Sequence, residues 1–306
     1  MQLEGIHHIT AITGDAPRNV DFYTRVLGLR LVKKTVNQDD PSVYHLFYGD
    51  EEGSPGLDLT FFECPGAARG RAGAGMVHRI LWRVAGPEAI AFWARRLEAE
   101  GVDTRREDGR LLFADPEGLG HELVVPVSGD APLVARHPEI PADVALQGFE
   151  GVRAYGADPA ASERLLSALG FRAAAEGYEA RGRRRGAVYV YHRPPEARGL
   201  QGAGTVHHVA WSSTIADHAA WRERVAAGGG RPTPVIDRFY FRSIYFREPS
   251  GVLFEIATMG PGFAVDEPQE SLGERLSLPP GHEHLRERLE RVLTPLPPTR
   301  PPGAEA

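Results

Sequence analysis

The chain has 306 residues, 42% hydrophobic and 25% charged, which is enough apolar material for one large core or two ordinary ones. Its formal charge of −6 excludes the broad basic field that nucleic acid or an anionic membrane selects, and a single cysteine, Cys64, excludes an internal disulfide framework or a thiolate metal cluster. No apolar run approaches the roughly 18 residues of a membrane span, and the opening MQLEGIHHIT lacks the charged-then-apolar order of a secretion signal, so a cytoplasmic location is expected.

In chain order, residues 5–13 read as a strand. Asp15-Ala-Pro-Arg then opens a helix with an acidic cap and an early proline, which continues through Val20-Asp-Phe-Tyr and stops at Gly28. Three β-rich runs follow, 31–36, 44–48 and 56–62, divided by Asp, Pro and Gly. The order β-α-β-β-β recurs from Met76, with a strand at 77–84, a helix at 87–101 and closing strands at 110–126. It returns more faintly from Gly148. A fourth copy begins at Gly204, with a strand at 205–213, a helix at 215–227 and paired strands at 238–258.

Repetition at roughly 60 to 75 residues organises the chain. Met76-Val-His-Arg-Ile-Leu-Trp resembles Thr205-Val-His-His-Val-Ala-Trp, and Asp115-Pro-Glu-Gly-Leu-Gly-His-Glu resembles Glu248-Pro-Ser-Gly-Val-Leu-Phe-Glu. The expected fold is α+β: four βαβββ modules paired into two domains with cup-shaped mixed sheets, at 1–130 and 147–262. The remaining residues, 263–306, are expected to form an ordered wrap with a helix at 283–293 that fades to disorder in the run Pro295-Leu-Pro-Pro-Thr-Arg-Pro-Pro.

Without thiolates, a metal must rest on His, Asp or Glu. Two histidine pairs, His7-His8 and His207-His208, stand at the same place in the first and fourth units. Alternation along a strand turns one member of each pair into the cup and the other away, so each pair offers one ligand and one neighbour. Glu255 lies between the apolar positions Phe254 and Ile256 and points to the opposite face, where a lone buried carboxylate needs a partner. Two imidazoles and a carboxylate make the facial triad of non-haem Fe(II), which leaves adjacent coordination positions open. By alignment, Thr60 stands in the first unit where Glu255 stands in the fourth, so no fourth anionic ligand is expected, whereas a slip of that alignment would promote Asp58 or Glu63. The second unit keeps Glu122 but has Arg79 at the histidine position, and the third, Val152-Arg-Ala-Tyr, has no histidine. One metal per chain is expected, held by units one and four between the two domains.

These residues, together with Lys33-Lys-Thr-Val-Asn, Ser271-Leu-Gly and the stretch from Arg238-Phe-Tyr-Phe-Arg-Ser-Ile-Tyr245 to Glu255, resemble the vicinal oxygen chelate superfamily of glyoxalases, bleomycin resistance proteins and extradiol dioxygenases. The likeness is nearer to its hydroquinone-type ring-cleaving dioxygenases and spans nearly the whole chain. It implies that the second histidine of each pair, His8 and His208, ligates iron with Glu255, and that His7 and His207 lie in the outer shell or pocket wall. It also implies that Thr10, Arg238 and Tyr245 are pocket residues. Tyr245 could then bond a bound phenolate, Arg238 could stabilise developing negative charge, Thr10 could hold a hydroxyl, and His207 could shuttle protons.

The implied activity is an Fe(II)-dependent ring-cleaving dioxygenase that places both atoms of O2 in a hydroquinone- or catechol-like diol, with Mn(II) acceptable to the same donors. Two other readings use the same fold: an isomerase or thiol transferase with zinc, nickel or manganese, and a protein that sequesters an aromatic compound. Thr60 and the Tyr245/Arg238 pair separate the first from the oxygenase, and an intact triad speaks against the second. No partner beyond the diol and O2 is implied, neither nucleic acid nor membrane. A homo-oligomer is compatible with the sequence, which does not choose between para-diol and ortho-diol cleavage.

Overall fold

A computed structural model describes residues 1–299, so the end of the proline-rich run lies outside the described residues. Sixteen strands follow one another among the described residues: β1 (Ile6–Thr13), β2 (Arg30–Asn37), β3 (Asp40–Gly49), β4 (Asp58–Glu63), β5 (Met76–Arg83), β6 (Arg105–Glu107), β7 (Arg110–Ala114), β8 (Gly120–Val124), β9 (Phe149–Tyr155), β10 (Arg172–Ala174), β11 (Gly177–Arg181), β12 (Gly186–His192), β13 (Val206–Ser213), β14 (Ile236–Asp237), β15 (Phe241–Arg247) and β16 (Leu253–Pro261). They form two eight-stranded mixed sheets, ordered β14-β15-β16-β13-β1-β4-β3-β2 and β10-β11-β12-β9-β5-β8-β7-β6. The α+β architecture of repeated βαβββ units is thus present in full.

The pairing of the units differs from their order along the chain. Strand β1 lies antiparallel to β13, so the first unit shares its sheet with the fourth, and β5 lies antiparallel to β9, so the second shares its sheet with the third. Each of the spans 1–130 and 147–262 therefore contributes to both sheets. The candidate ligands come from both spans, His8 from 1–130 and His208 and Glu255 from 147–262, and they meet at the centre of one continuous sheet because the two His-bearing strands are hydrogen-bonded neighbours.

Helices lie on the outer faces: α1 (Ala16–Asp21, continued by a π turn at Phe22–Val26), α2 (Pro87–Ala99), α3 (Glu163–Ala168) and α4 (His218–Ala227). Asp15 caps α1 by accepting from the Arg18 amide at 3.1 Å, as its sequence suggests. The helix ends at Gly28, whose φ of +71° and close approach to Ile140 leave no room for a side chain. Ile9, Ala11, Val209, Trp211, Phe254 and Ile256 are fully buried in the core. Strand alternation then turns His8, Thr10 and Glu255 to the other face.

The C-terminal segment wraps back over β2. Ser277 donates its amide to the Lys34 carbonyl at 2.8 Å, and buried Lys33 is ion-paired with Asp266 and Glu267. The helix expected at 283–293 is a 3-10 turn over Pro280–Leu285 followed by α5 (Arg286–Val292), which buries Leu289. No helix among the described residues is long and apolar enough to cross a membrane.

Candidate metal centre

The centre sits where β1 and β13 cross in mid-sheet. Thr10 is paired with His208, and His8 with Ala210, which sets the two second histidines side by side. Strand β16 runs beside β13 with Glu255 opposite Ala210. As a result, His8 Nε2 and His208 Nε2 lie 3.2 Å apart, and Glu255 Oε2 lies 3.2 Å from the first and 3.0 Å from the second. All three side chains are buried, Glu255 completely. Neither carboxylate oxygen has a hydrogen-bond partner of good geometry. Burial alone would push this carboxyl up, yet His8 and His208 hold it well below the usual carboxylate range. A concentrated anion, two ring nitrogens and no hydrogen-bond donor form a donor set that fits a divalent cation.

The register also tests the position of Thr60. On β4, Thr60 pairs with Thr10, two residues after His8, and on β16, Glu255 pairs with Ala210, two residues after His208. Thr60 is therefore the first-unit counterpart of Glu255, and its hydroxyl leaves that side of the centre without a charged ligand.

The expectation that one member of each histidine pair faces away is not met. Between Ile6 and His8 the register against β13 shifts by one residue, and it shifts again between Thr10 and Ala11, so His7 and His207 are the extra residues of two β-bulges. A bulge cancels the alternation. The rings of His7 and His8 both pack on Phe241, with centroids 5.2 and 5.0 Å away. The ring of His207 packs beside that of His208 against Phe62.

Each first histidine then binds the second through its ring. His7 Nδ1 is 2.9 Å from His8 Nδ1, and His207 Nδ1 is 2.8 Å from His208 Nδ1. His7 Nε2 lies 3.1 Å from the Thr258 carbonyl, which can only accept, so Nε2 carries the proton of this imidazole. Burial, then His8, pushes His7 down to about 3 and keeps it neutral. Its Nδ1 must accept from His8 Nδ1, which leaves His8 Nε2 as the nitrogen directed at Glu255.

The remaining expected residues are distributed around the centre. Thr10 is completely enclosed, its Oγ1 at 2.9 Å from His208 Nε2 and 2.8 Å from Thr60 Oγ1. Tyr245 stands edge-on to His208 with centroids 5.7 Å apart, and it shares the wall of a cavity with Arg238, His45, Phe47, Phe62 and Phe241. Arg238 lies over the Tyr245 ring at 5.6 Å and donates to both oxygens of Asp39, at 3.1 and 3.0 Å. Burial, then Glu255, pushes the Tyr245 phenol up, so it remains a donor at neutral pH. His207 lines a separate groove beside Arg247 rather than this cavity. Burial, then His208, pushes it down to about 4.

Two contributors escaped the sequence reading. His45 faces the cavity from β3, and Asp39 anchors Arg238. Alternation in residues 44–48 puts His45 on one face with Phe47 and was the available signal for the first; nothing local marks the second.

The second sheet repeats the plan without the centre. Glu122 pairs with Leu81, two residues after Arg79, which is the register of Thr60 and Glu255. Arg79 and Arg110 donate to Glu122 at 3.1 and 3.2 Å, and Arg153 grips both its oxygens at 2.8 Å. In the third unit, Val190 pairs with Arg153, so the ligand position falls at Gly151. A Cβ there would stand 2.1 Å from the Val188 carbonyl oxygen. No histidine fits.

The sequence profile of the Glyoxalase/Bleomycin resistance protein/Dioxygenase superfamily matches residues 5–123 and 152–256. MhqO of Bacillus subtilis (strain 168), which carries a provisional name as a ring-cleaving dioxygenase, is 44% identical over 95% of this chain and 96% of its own. The chlorohydroquinone/hydroquinone 1,2-dioxygenase of Sphingobium indicum is 32% identical over 95% of this chain and 96% of its own. The crystal structure of a B. subtilis protein provisionally described as a dioxygenase superposes with a TM-score of 0.88 at 43% identity, covering 97% of this chain and 98% of that one. Glyoxalase I from Zea mays shares the fold, with a TM-score of 0.58 at 16% identity.

Proposed function

Because the chain belongs to the Glyoxalase/Bleomycin resistance protein/Dioxygenase superfamily, we propose that it is a cytoplasmic, Fe(II)-dependent, extradiol-type ring-cleaving dioxygenase acting on a hydroquinone- or catechol-like diol. The observation that carries this reading is the convergence of His8, His208 and Glu255 within 3.0–3.2 Å on a carboxylate with no hydrogen-bond partner, at the edge of an aromatic-walled cavity. The names of the relatives support the substrate class: one is a hydroquinone dioxygenase. A bound divalent iron would supply the electron path between diol and dioxygen and would acidify the diol hydroxyl.

The chain's own residues do the rest. Phe47, Phe62 and Phe241 give the aromatic ring an apolar slot and exclude bulk water from the reacting face. Tyr245, held protonated by burial, donates a hydrogen bond to the oxygen that carries the developing charge. Arg238, fixed by Asp39, adds a permanent positive charge at the cavity mouth and attracts the ionised diol. His7 and His207 act as positioning residues: by accepting at Nδ1 they fix the Nδ1–H tautomer of His8 and His208 and aim both Nε2 lone pairs at the metal. Thr60 leaves one side open, where a relative with four anionic or imidazole ligands would be filled, and this favours the oxygenase over a glyoxalase-like isomerase or thiol transferase.

Anaerobic loading with Fe(II), then oxygen uptake with hydroquinone, methylhydroquinone and catechol, tests the proposal. Uptake equal to diol consumed, with both oxygen atoms of labelled dioxygen in the product, is the expected result. Stoichiometric iron with no uptake on any diol would overturn it, and turnover with manganese alone would replace the metal.

A further inference from the structure

The sheet that carries the centre ends in two hairpins, β14-β15 at one edge and β3-β2 at the other, and its curl brings their turns together. Gln38 Nε2 donates to the Arg238 carbonyl at 2.8 Å, and Arg238 donates through both terminal nitrogens to the Asp39 carboxylate at 3.1 and 3.0 Å. The two turns thus form a clasp, and all three residues line the cavity beside His8 and His208.

Three features set the clasp apart from the rest of the wall. The free space behind it is about 40 Å³, room for roughly three waters and too little for an aromatic ring with two hydroxyls. The pair that shuts it is weak: the Asp39 side chain is 74% exposed, and an ion pair so placed adds little and is screened by salt. The wall at Phe47 and Tyr240 is firm by contrast. There the C-terminal wrap seats Phe263 on both rings, with centroids 5.1 and 5.6 Å away, and completely buried Lys33 holds Asp266 and Glu267. The third feature is strain. Phe239, next to Arg238, has a φ of +71°, which a bulky side chain adopts only under the hold of its neighbours; here the Asp237 carboxylate accepts from its amide at 2.8 Å. Strain of this kind collects in ligand clamps and switch segments.

We propose that Asp39 is a positioning residue that, with Gln38, holds Arg238 across the mouth of the empty site and yields it to the incoming diol. The inference rests on the ring-cleaving reading above. The clasp parts to make room for the ring, and the ionised oxygen of the seated diol replaces the Asp39 carboxylate on the guanidinium. One anion takes the place of another, so Arg238 keeps a partner in both states, and no covalent bond changes. A diol then binds only the molecules whose clasp is open, and its apparent affinity falls by that fraction.

Stopped-flow absorbance of nitrohydroquinone, a coloured diol, mixed anaerobically with the zinc-loaded full chain tests the clasp. Asp39→Ala should raise the association rate and tighten the dissociation constant by the same factor, about fivefold, the worth of an exposed ion pair. The dissociation rate should stay within about twofold, because the clasp is already open when the diol is bound. Gln38→Ala should act in the same direction, and Asp39→Glu should return the unmodified values. If Asp39 only braced Arg238 for the substrate, Asp39→Ala would weaken binding and speed dissociation. That result, or an unchanged association rate in both alanine variants, would overturn the proposal.

Nitric oxide binding to the iron-loaded protein is the control. A diatomic molecule fits behind the closed clasp, so its rate should be the same in Asp39→Ala, and a rise parallel to that of the diol would mean that the centre had changed rather than the mouth, which also overturns the proposal. Absence of oxygen uptake by the iron-loaded protein would fault the oxygenase reading alone, since diol binding to the zinc-loaded protein still reports the clasp. Failure of nitrohydroquinone to bind any of these proteins would overturn both.

Discussion

The two sheets of this protein are two answers to the same electrostatic problem. Each carries a buried carboxylate at one register position, Glu255 in the first and Glu122 in the second, and each carries a bulge at the strand crossing. In the first sheet the charge faces two imidazole nitrogens and has no hydrogen-bond donor of good geometry, a donor set that fits a divalent cation. In the second, the charge is met by Arg79, Arg110 and Arg153. A guanidinium supplies positive charge and directed donors but has no open coordination position. The difference between a chemical centre and a structural one thus comes down to which side chain stands two residues before the pairing position.

That comparison is broken most forcefully from the first sheet. His208→Ala or Glu255→Ala should lose the metal and bring oxygen uptake to background, a loss of about 10³-fold or more. Metal analysis of the unmodified protein should give one ion per chain, because Gly151 cannot accept a side chain. Two ions per chain would mean that the second sheet is not closed to metals. The next largest effect belongs to the second sheet. Arg153→Met leaves Glu122 with its main partner gone in a buried setting, so denaturant unfolding should show a loss of about 3–5 kcal/mol. Iron content and oxygen uptake should be unaffected below the unfolding transition, which would separate the two roles. A third variant tests the bulge. His7→Phe retains the contact with Phe241 but removes the acceptor for His8 Nδ1, and metal affinity should fall about 10–100-fold as read by competition with a chelating dye.

Most of the centre was legible because its residues come in motifs. His-His twice at equal places in a repeat, and a glutamate flanked by apolar residues, are local signals, and the register places Thr60 opposite Thr10 as the alignment implied. The sheet partners were not legible. Whether the first unit pairs with the second or with the fourth is decided by contacts some 200 residues apart, such as Thr10 with His208, which no local pattern records. The bulges were hidden for a related reason: an extra residue in one strand is defined only against its partner, so simple alternation sent His7 and His207 to the wrong face. Arg238 read as a cavity cation, but its anchor Asp39 lies 199 residues away.

The smallest effect is the one that probes the balance inside the second sheet. Burial alone raises the pKa of Glu122, but hydrogen bonds and charge from Arg153, then Arg79, bring the net value below the ordinary 4.5. A carboxyl that binds its proton more weakly folded than unfolded adds stability above the unfolded value, and that addition is lost as pH falls through the folded one. The stability difference between the unmodified protein and Glu122→Gln should therefore be widest near neutrality and shrink on acidification below about pH 4.5, the unfolded value. Other acidic groups titrate in both proteins and cancel in the difference. A difference that widened on acidification would mean that desolvation outweighs the three guanidiniums, and Glu122 would then be a protonated remnant of a metal ligand rather than the anion around which the second sheet is neutralised.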